Sequence, residues 1–225
     1  MKKSISFILL IITHNLIFSQ RATYDSLIFQ LQTIERNDQV PRLQLDSIVG
    51  KYSGDSLEMM RMLKMNREIM RYNDSVDLVK MSAILDKYGW LGPDEIGDDA
   101  CQTLFIVIQH ASLQTQEKYF PVMQAAVING KAKPSQLAYL EDRMALRKRG
   151  KQIYGTQVFF NMKTKVAYIL PIEDPYNLDI RRGRVGLQTM TKYLEDSFGK
   201  KWDMSEYFRD LPTADSLMRA SHYMK

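Results

Sequence analysis

The sequence contains only one cysteine, Cys101, among its 225 residues. A single thiol cannot form an intramolecular disulfide, so the fold must be stabilised by packing alone. Paired metal-ligand motifs are missing as well, because neither His-x-x-x-His nor Cys-x-x-Cys occurs, and this argues against a classical zinc site. There is no EF-hand-like loop, although a calcium or magnesium site built from carboxylates alone stays open. We therefore predict no metal site and no cofactor.

Signatures of nucleophilic catalysis and of phosphate binding are also absent. The motif G-x-S-x-G does not occur. The glycine-rich segment "GWLGPDEIGDD" lacks the Lys-Ser/Thr pair of a P-loop, and its acidic residues would repel phosphate, so it is read as a structured turn. Cys101 and His110 lie nine positions apart on one predicted helix, about half a turn out of phase, and cannot form a dyad.

The chain has little net charge and no apolar run of transmembrane length. Its formal charge is +5, of which Lys2 and Lys3 contribute two, and this is too small to indicate nucleic-acid binding. Residues 1–20 combine these lysines with short apolar runs, which is the layout of a signal peptide, and polar residues 13–15 interrupt the roughly 20 residues that a membrane span needs. We predict cleavage near Ser19 and a periplasmic or secreted protein; a retained signal anchor is the alternative.

Apolar residues at helical spacing predict a mainly helical chain. Pro41 is expected to interrupt the chain between its first two helices, and Asp55 or Ser56 is expected to cap the third. Residues 104–108 are apolar on nearly every side, which is typical of a buried, central helix. The predicted helices cover 22–36, 41–52, about 56 to 70, 75–88 ending at Gly89, 99–111, 114–129, 134–149, 187–198 and 213–224.

Periodicity changes after Gly150. The segments "QIYGTQVFFN" and "VAYILPI" read as two strands of a β-hairpin, and alternation along the first would place Gln152 and Tyr154 on one face. Residues 176–186 read as a loose arm. The predicted fold class is therefore α+β, predominantly α: a multi-helix bundle with one antiparallel β-hairpin packed against it. Residues 21–225 are predicted to form a single domain, within which 21–75 could be a semi-separate helical arm.

A few polar residues stand at costly positions. His110 ends the most apolar helix, where its ring could cap carbonyl groups or could act as a general base or anion-binding group. Asp142 has apolar neighbours three and four residues away, so it must be paired or hydrogen-bonded, and Arg143 could complete a structural ion pair. Arg181 and Arg182 belong to a basic segment that is either solvated or a fork for a carboxylate or phosphate.

The ordered segments "NDQVPR", "YGWLGPDEIG", "VIQHA", "AYLEDR", "QIYGTQ" and "DIRRGRVGL" resemble an uncharacterised family of bacterial proteins, many of them exported. The resemblance covers about residues 35–195 and implies a shared polar centre without a known reaction. The chain departs from the family pattern at Leu91, where proline is common, and at Pro41 inside the first motif. The matching positions are Asp38, Gln39, Arg42, Gln109, His110, Asp142, Arg143, Gln152, Tyr154, Gly155, Thr156, Gln157, Arg181 and Arg182.

Three functional hypotheses follow for a polar centre built from His110, Asp142, Arg143 and Gln157. The preferred one is binding of a small polar or anionic ligand. The second is a hydrolase or transferase that activates water, with His110 as general base and Asp142 orienting it. The third is a purely structural polar network. No nucleic-acid or membrane partner is predicted after signal cleavage. The predicted ligand-binding residues are Gln109, Arg143, Gln152, Tyr154, Thr156, Gln157, Arg181 and Arg182.

Overall fold

The computed structural model describes residues 2–51, 57–161, 164 and 166–220. Over these residues the chain forms helices with one two-stranded antiparallel sheet, so the predicted α+β, predominantly α fold class is confirmed. The elements in chain order are α1 (Lys2–Lys51), α2 (Leu57–Tyr88), α3 (Pro93–His110), α4 (Leu113–Ile128), α5 (Pro134–Arg149), β1 (Val158–Asn161), β2 (Val166–Ile169), α6 (Leu178–Arg184), α7 (Met190–Phe198) and α8 (Met204–Ala220).

The chain divides into two compact units, Met1–Leu104 and Phe105–Lys225, which we call unit 1 and unit 2. In unit 1, α1 and α2 pack against each other in antiparallel orientation, because Asn37 bonds to Asp77 while Pro41, further along α1, is bonded by Asn66, earlier on α2. The α1–α2 pair buries apolar residues of both helices: Leu27, Leu31, Ile34, Met81, Ile84 and Leu85.

Helix α1 continues through Pro41, so the predicted interruption at this residue is wrong. A proline has no N–H, and it therefore leaves the carbonyl of Asn37, four residues earlier, without its helical donor. Asn73 of α2 replaces that donor, with Nδ2 2.9 Å from the Asn37 oxygen. The amide of Asn66 donates to the Pro41 carbonyl itself at 2.6 Å. The neighbouring helix thus compensates the defect that proline creates.

The next two predicted helices are a single helix, α2, which ends at Tyr88. The predicted C-cap at Gly89 is confirmed, since Gly89 has φ 69° and donates to Leu85 at 2.9 Å. The following connection is partly helical rather than a turn alone, because α3 already begins at Pro93 and bends at Gly97. The predicted caps Asp55 and Ser56 lie outside the described residues.

Unit 2 begins with helices whose predicted limits are close to those observed. Ser112 caps α4 by accepting from the Thr115 N–H at 3.3 Å. Pro134 opens α5, and Gly150 closes it with φ 72°. Helices α4 and α5 pack against each other. Local signals for helix starts and ends were therefore sufficient in this part of the chain.

The hairpin is confirmed, but its first strand is shorter than predicted. β1 pairs with β2 from Val158 opposite Ile169 to Asn161 opposite Val166. Residues 152–157 form a turn instead of continuing the strand, and a parallel bridge joins Gln152 to Ile172 beyond the end of β2. The prediction that Gln152 and Tyr154 share a strand face is therefore wrong.

The C-terminal helices cover one side of the hairpin. Met218 of α8 packs with Leu146 and Leu170, while Tyr207 of α8 belongs to a second apolar cluster. That cluster consists of Ile169, Ile172, Leu178, Met190, Leu194 and Tyr207. Helix α8 is longer at its start than the predicted last helix, and residues 221–225 lie outside the described part of the chain.

The segment predicted as a loose arm contains helix α6. Leu178 and Arg182 are each 1% exposed and stand four residues apart, so one helical turn buries both on the same face. The apolar pattern does not mark this face, because apolar Ile180 is 58% exposed while charged Arg182 is buried, and the short helix was therefore missed. Helix α7 begins at Met190, where Thr189 caps it by accepting from the Lys192 N–H.

Candidate functional site

The turn at residues 152–157 is the centre of the polar network in unit 2. It links α5 to β1 and requires glycine at position 155, where φ is +69°. A side chain there would be strained by the backbone, and its Cβ would meet Ile172 and Leu178 at 3.4 Å. The turn is therefore seated closely on the apolar cluster beneath the hairpin.

Asp142 of α5 holds this turn by its backbone. One carboxylate oxygen accepts the N–H groups of Ile153 and Tyr154 at 2.6 and 2.8 Å. The other accepts the N–H and the hydroxyl of Thr156 at 2.9 and 2.8 Å. Asp142 is 0% exposed, so four hydrogen bonds replace its lost hydration. We call Asp142 and residues 153–156 the Asp142 clamp.

Two arginines of α6 take the carbonyl groups of the same turn. Arg182, buried almost completely, donates to the Tyr154 carbonyl at 2.7 Å and to the Gln188 carbonyl at 2.6 Å. Arg181 donates to the Ile153 carbonyl at 2.9 Å and also pairs with Asp174 at 3.3 Å. Of the two interpretations of this basic segment, a solvated loop does not hold for Arg182, and the hydrogen bonds of both guanidinium groups described above go to the protein itself.

The two glutamines that flank the turn bond to each other. The Gln152 side chain accepts the Gln157 N–H at 2.8 Å and donates to the Gln157 and Leu170 carbonyls at 2.9 and 2.8 Å. The Gln157 side chain donates to Thr156 at 3.0 Å and accepts from Arg143 at 3.3 Å. Gln152 thus acts as a substitute for strand pairing between the turn and the hairpin.

Burial dominates the electrostatics of the clamp. It raises the pKa of the Asp142 carboxyl, and the hydrogen bonds from Tyr154, Thr156 and Ile153 offset part of the effect. Burial likewise lowers the pKa of the Arg182 guanidinium. The opposite charges of Asp142 and Arg182 therefore partly compensate each other, whereas burying either charge alone would cost more free energy.

Tyr154 and Glu141 form a second coupled pair at the edge of the clamp. The Tyr154 hydroxyl donates to the Glu141 carboxylate at 3.3 Å. Burial and the nearby Glu141 charge raise the pKa of Tyr154 to about 12. Burial also raises the pKa of Glu141, although the hydrogen bond from Tyr154 opposes the shift. Both shifts favour the protonated form of the group concerned.

The end of α3 forms a separate polar cluster with α4 and α5. Gln116, which is fully buried, donates to the Gln109 carbonyl at 2.9 Å. Arg147 donates to the Ala111 carbonyl and to the Gln116 side chain, each at 3.0 Å. The carbonyl groups at this helix end are thus capped by Gln116 and Arg147.

Gln109 has one unsatisfied atom in this cluster. Its Nε2 donates to the Tyr139 carbonyl of α5 at 3.3 Å. Its Oε1 is buried and has no hydrogen-bond partner among the described residues of the protein. Since the side chain is only 6% exposed, bulk water does not readily compensate the loss. In the described part of unit 2, this oxygen is the one buried side-chain nitrogen or oxygen atom without a hydrogen-bond partner.

The structure brings most of the predicted site residues to the turn and leaves two at the α3 end. Asp142 accepts its four hydrogen bonds from residues 153, 154 and 156, and none of them comes from His110. Arg143 links the two regions, because it reaches Gln157 and lies one helical turn after Tyr139. The predicted residues at the turn are Asp142, Arg143, Gln152, Tyr154, Thr156, Gln157, Arg181 and Arg182, and those at the α3 end are Gln109 and His110.

Sequence reasoning overlooked several contributors. Gln116 and Arg147 were missed because single polar residues on helices normally face solvent, and only their burial against the α3 end reveals a role. Tyr193 was missed as well: its hydroxyl donates to the Thr156 carbonyl at 3.2 Å, and its ring lies under Arg182 with the guanidinium carbon 5.0 Å from the ring centroid. An Arg182–Tyr193 pair cannot be read from spacing.

The motif residues Asp38, Gln39 and Arg42 belong to unit 1. Arg42 pairs with Asp38 at 2.9 Å and with Asp74 at 3.0 Å, while Gln39 donates to Asp38 at 2.6 Å. Within the described residues, no cluster of three or more His, Cys, Asp or Glu side chains is arranged to hold a metal ion. No helix among them combines the length and the apolar character that a membrane span requires.

The fold and the site together define a mainly helical α+β protein centred on a carboxylate-clamped turn. The chain belongs to the family of unknown function DUF6624, whose sequence profile matches residues 30–203. This agrees with the predicted resemblance to an uncharacterised family over about residues 35–195. No curated protein and no solved structure shows a significant match.

Proposed function

We propose that the protein is an exported binding module for a small polar ligand that carries a hydrogen-bond donor and a negative charge. The ligand would bind in unit 2, where Gln109 meets α5. The observation that carries this proposal is the buried Gln109 Oε1, which lacks a hydrogen-bond partner among the described residues. Export rests on the signal-peptide layout of residues 1–20.

An unsatisfied buried acceptor destabilises a fold by about 1 to 3 kcal/mol. Rotation of the amide would not remove the problem, since Nε2 already donates to the Tyr139 carbonyl and would be replaced there by an oxygen. A ligand N–H or O–H group directed at Oε1 would complete the hydrogen bonding. A loss of stability of this kind in the unliganded protein is typical of a site that is organised to bind its ligand.

Positive charge near Gln109 supports an anionic ligand. Arg143 and Arg147 follow Tyr139 on α5 at intervals of four residues, so all three lie on one side of the helix. A guanidinium group suits a carboxylate or phosphate through paired hydrogen bonds. Hydroxy acids, amino acids and their phosphorylated relatives combine this charge with a donor group.

The hydrogen bonds of Asp142 favour binding over the hydrolase hypothesis. A carboxylate that orients a general base must offer that base an acceptor, whereas Asp142 already accepts four hydrogen bonds within its clamp. The same saturation supports a structural role for the clamp as the rigid frame beside the ligand. The structural hypothesis therefore accounts for the turn, while the binding hypothesis accounts for Gln109.

A thermal-shift screen tests the proposal. The panel would contain hydroxy acids, amino acids, sugar phosphates and neutral sugars, the last group showing whether charge is needed. A compound present at 100 times its Kd should stabilise the wild type by about 2.7 kcal/mol. Gln109→Met should lose this shift, while its own Tm without ligand should equal or exceed that of the wild type, because the unsatisfied oxygen is gone.

Gln116→Met is the matched control. It removes a fully buried amide whose two functional atoms are both hydrogen-bonded. We expect it to lower the stability of the unliganded protein by about 1 to 3 kcal/mol and to keep the ligand-induced shift. The proposal fails if no compound of the panel stabilises the wild type, or if Gln109→Met responds to the compound as the wild type does.

A further inference from the structure

One face of α2 in unit 1 is apolar and exposed. Met65 and Ile69 are 47% and 48% exposed, and Tyr72 and Val79 are 70% and 71% exposed. With Val76, half-buried, and Ala83, exposed, they follow each other at intervals of four, three, four, three and four residues. We call these six residues the outer stripe. The spacing is that of the a and d positions of a coiled coil.

The outer stripe is separate from the face that α1 covers. Residues of α2 buried in unit 1 include Met59, Asn66, Asp77 and Met81. At 100° per residue, Tyr72 and Asp77 project about 140° apart around the helix axis. Helix α2 therefore has two packing faces at heptad spacing, of which only one is filled within the described part of unit 1.

We propose that the outer stripe is a self-association surface, on which α2 pairs with α2 of a second copy in antiparallel orientation. A two-fold axis requires a self-complementary surface. Antiparallel pairing centred near residue 74 places Met65 opposite Ala83, Ile69 opposite Val79 and Tyr72 opposite Val76 of the other copy. Each layer combines a larger with a smaller side chain, which is how facing helices fill their interface without voids.

Charge supports the same orientation. The first half of α2 carries four basic residues and two acidic ones, Arg61, Lys64, Arg67, Arg71, Glu58 and Glu68. The second half is close to neutral at its surface, because Asp77 is buried on the α1 face and the other charged residues are Asp74, Asp86, Lys80 and Lys87. Antiparallel pairing keeps the basic first halves of the two copies apart, whereas parallel pairing would place them side by side.

The area is sufficient for a specific dimer. Exposed side chains of this size amount to on the order of 500 Å² per copy, and a specific interface needs about 1,000 Å² in total. An apolar patch of this size is comparable to the largest patch of a typical monomer, and such patches are often functional. A second copy fits this surface because each residue of the outer stripe lies opposite a residue of the outer stripe in the other copy.

Sedimentation equilibrium of the purified chain over a range of concentrations tests the association. We expect a reversible dimer. The double variant Ile69→Glu with Val79→Glu places carboxylates opposite each other in two layers, and it should raise the dimer Kd at least about a hundredfold. Ile128→Glu is the control, since Ile128 is 84% exposed but lies in unit 2.

Cysteine cross-linking tests the register. Ser75 would lie beside the two-fold axis, so Ser75→Cys should form a disulfide-linked dimer under mild oxidation. Ser82→Cys should not, because the two copies of residue 82 would be about 24 Å apart along the axis. The native Cys101 is buried and does not compete. A monomer at all concentrations, a double variant that dimerises like the wild type, or equal cross-linking through residue 82 would each overturn the proposal.

Discussion

The Asp142 carboxylate does for residues 153–156 what a neighbouring strand does in a sheet, because it accepts their N–H groups. A carboxylate is well suited to this task, since its two oxygens offer about four acceptor positions and no donor. All four are used, and on the other side Arg181 and Arg182 donate to the Ile153 and Tyr154 carbonyls. The middle of a six-residue turn is thereby fixed by side chains, while backbone hydrogen bonds hold its ends at Gln152 and Gln157.

Asp142→Asn should therefore destabilise the protein strongly. The amide would turn one oxygen into a donor, and that donor would face either the Ile153 and Tyr154 N–H groups or both donors of Thr156. We expect a loss of roughly 2 to 5 kcal/mol in the free energy of unfolding, measured by urea denaturation. Asp25→Asn, at an exposed position on α1, should change it by less than about 0.5 kcal/mol. Similar small losses in both variants would contradict the clamp.

The raised pKa of Tyr154 predicts that the folded protein loses stability at alkaline pH. The pKa of this phenol is about 12 in the folded protein against an ordinary value of 10.0. Between these values the folded state keeps a proton that the unfolded chain has lost. This contribution to stability is therefore complete below pH 10 and disappears as the pH rises towards about 12. Tyr154→Phe should remove the corresponding part of the stability loss.

Tyrosinate absorbance checks the assignment. Burial raises the pKa of Tyr139 and Tyr207 as well, so more than one phenol of the folded wild type should ionise late. The step near pH 12 that belongs to Tyr154 should be missing from Tyr154→Phe. In Tyr176→Phe, which alters an exposed tyrosine, the late step must remain. A titration curve in which Tyr154→Phe keeps the step would show that another residue is responsible.

At the scale of elements, α1 shows that a helix can be completed by its neighbour. Pro41 removes one hydrogen bond from α1, and Asn73 of α2 supplies the donor that the Asn37 carbonyl lacks. Helix continuity at residues 37–41 is therefore a property of the α1–α2 pair. The same reasoning explains why asparagine, a poor helix former, stands in the middle of α2.

A double-mutant cycle tests this compensation. Asn73→Ala should cost about 1 to 3 kcal/mol, because it leaves the Asn37 carbonyl without a donor in a half-buried position. Pro41→Ala restores the helical N–H, so in that background Asn73→Ala should cost markedly less. The coupling energy is expected to be about 1 kcal/mol or more in urea denaturation. Additive effects of the two changes would refute the explanation.

At the scale of the whole molecule, the family match ends before the last helix that packs against the β-hairpin. The match stops at residue 203, just before α8 begins at Met204. Helix α8 nevertheless buries Tyr207 and Met218 against the hairpin, and the Tyr207 hydroxyl accepts the Ile172 N–H at 2.8 Å. Unit 2 therefore needs a helix that the family match does not include.

Truncation after Asp203 should accordingly destabilise the protein by several kcal/mol, since a buried large side chain contributes about 1.5 to 3 kcal/mol. Thermal unfolding and aggregation of the shortened chain would show the loss. Ser216→Ala, at an exposed position on α8, is the control, and it should unfold like the wild type. If the shortened chain were as stable as the full-length chain, α8 would not be part of the folding unit.

The sequence by itself determined the features that depend on neighbouring residues. The limits of α5, the cap at Gly89 and the existence of the hairpin follow from apolar spacing, prolines and glycines within a few positions. The clustering of polar side chains from 142 to 157 was also visible, because an acid on an apolar helix face requires partners. These signals are local and can be recognised without knowledge of the rest of the fold.

Only the tertiary structure decided what those polar residues do. Asp142 bonds to groups 11 to 14 positions away, Arg182 to a carbonyl 28 positions away, and Asn73 to one 36 positions away. No spacing rule connects such pairs, since their meeting depends on how whole helices pack. The turn at 152–157 and the continuity of α1 could not be predicted for this reason, because in both a distant side chain completes the backbone hydrogen bonding. Helix α6 was missed for another reason, since its buried face consists of Leu178 and the polar Arg182.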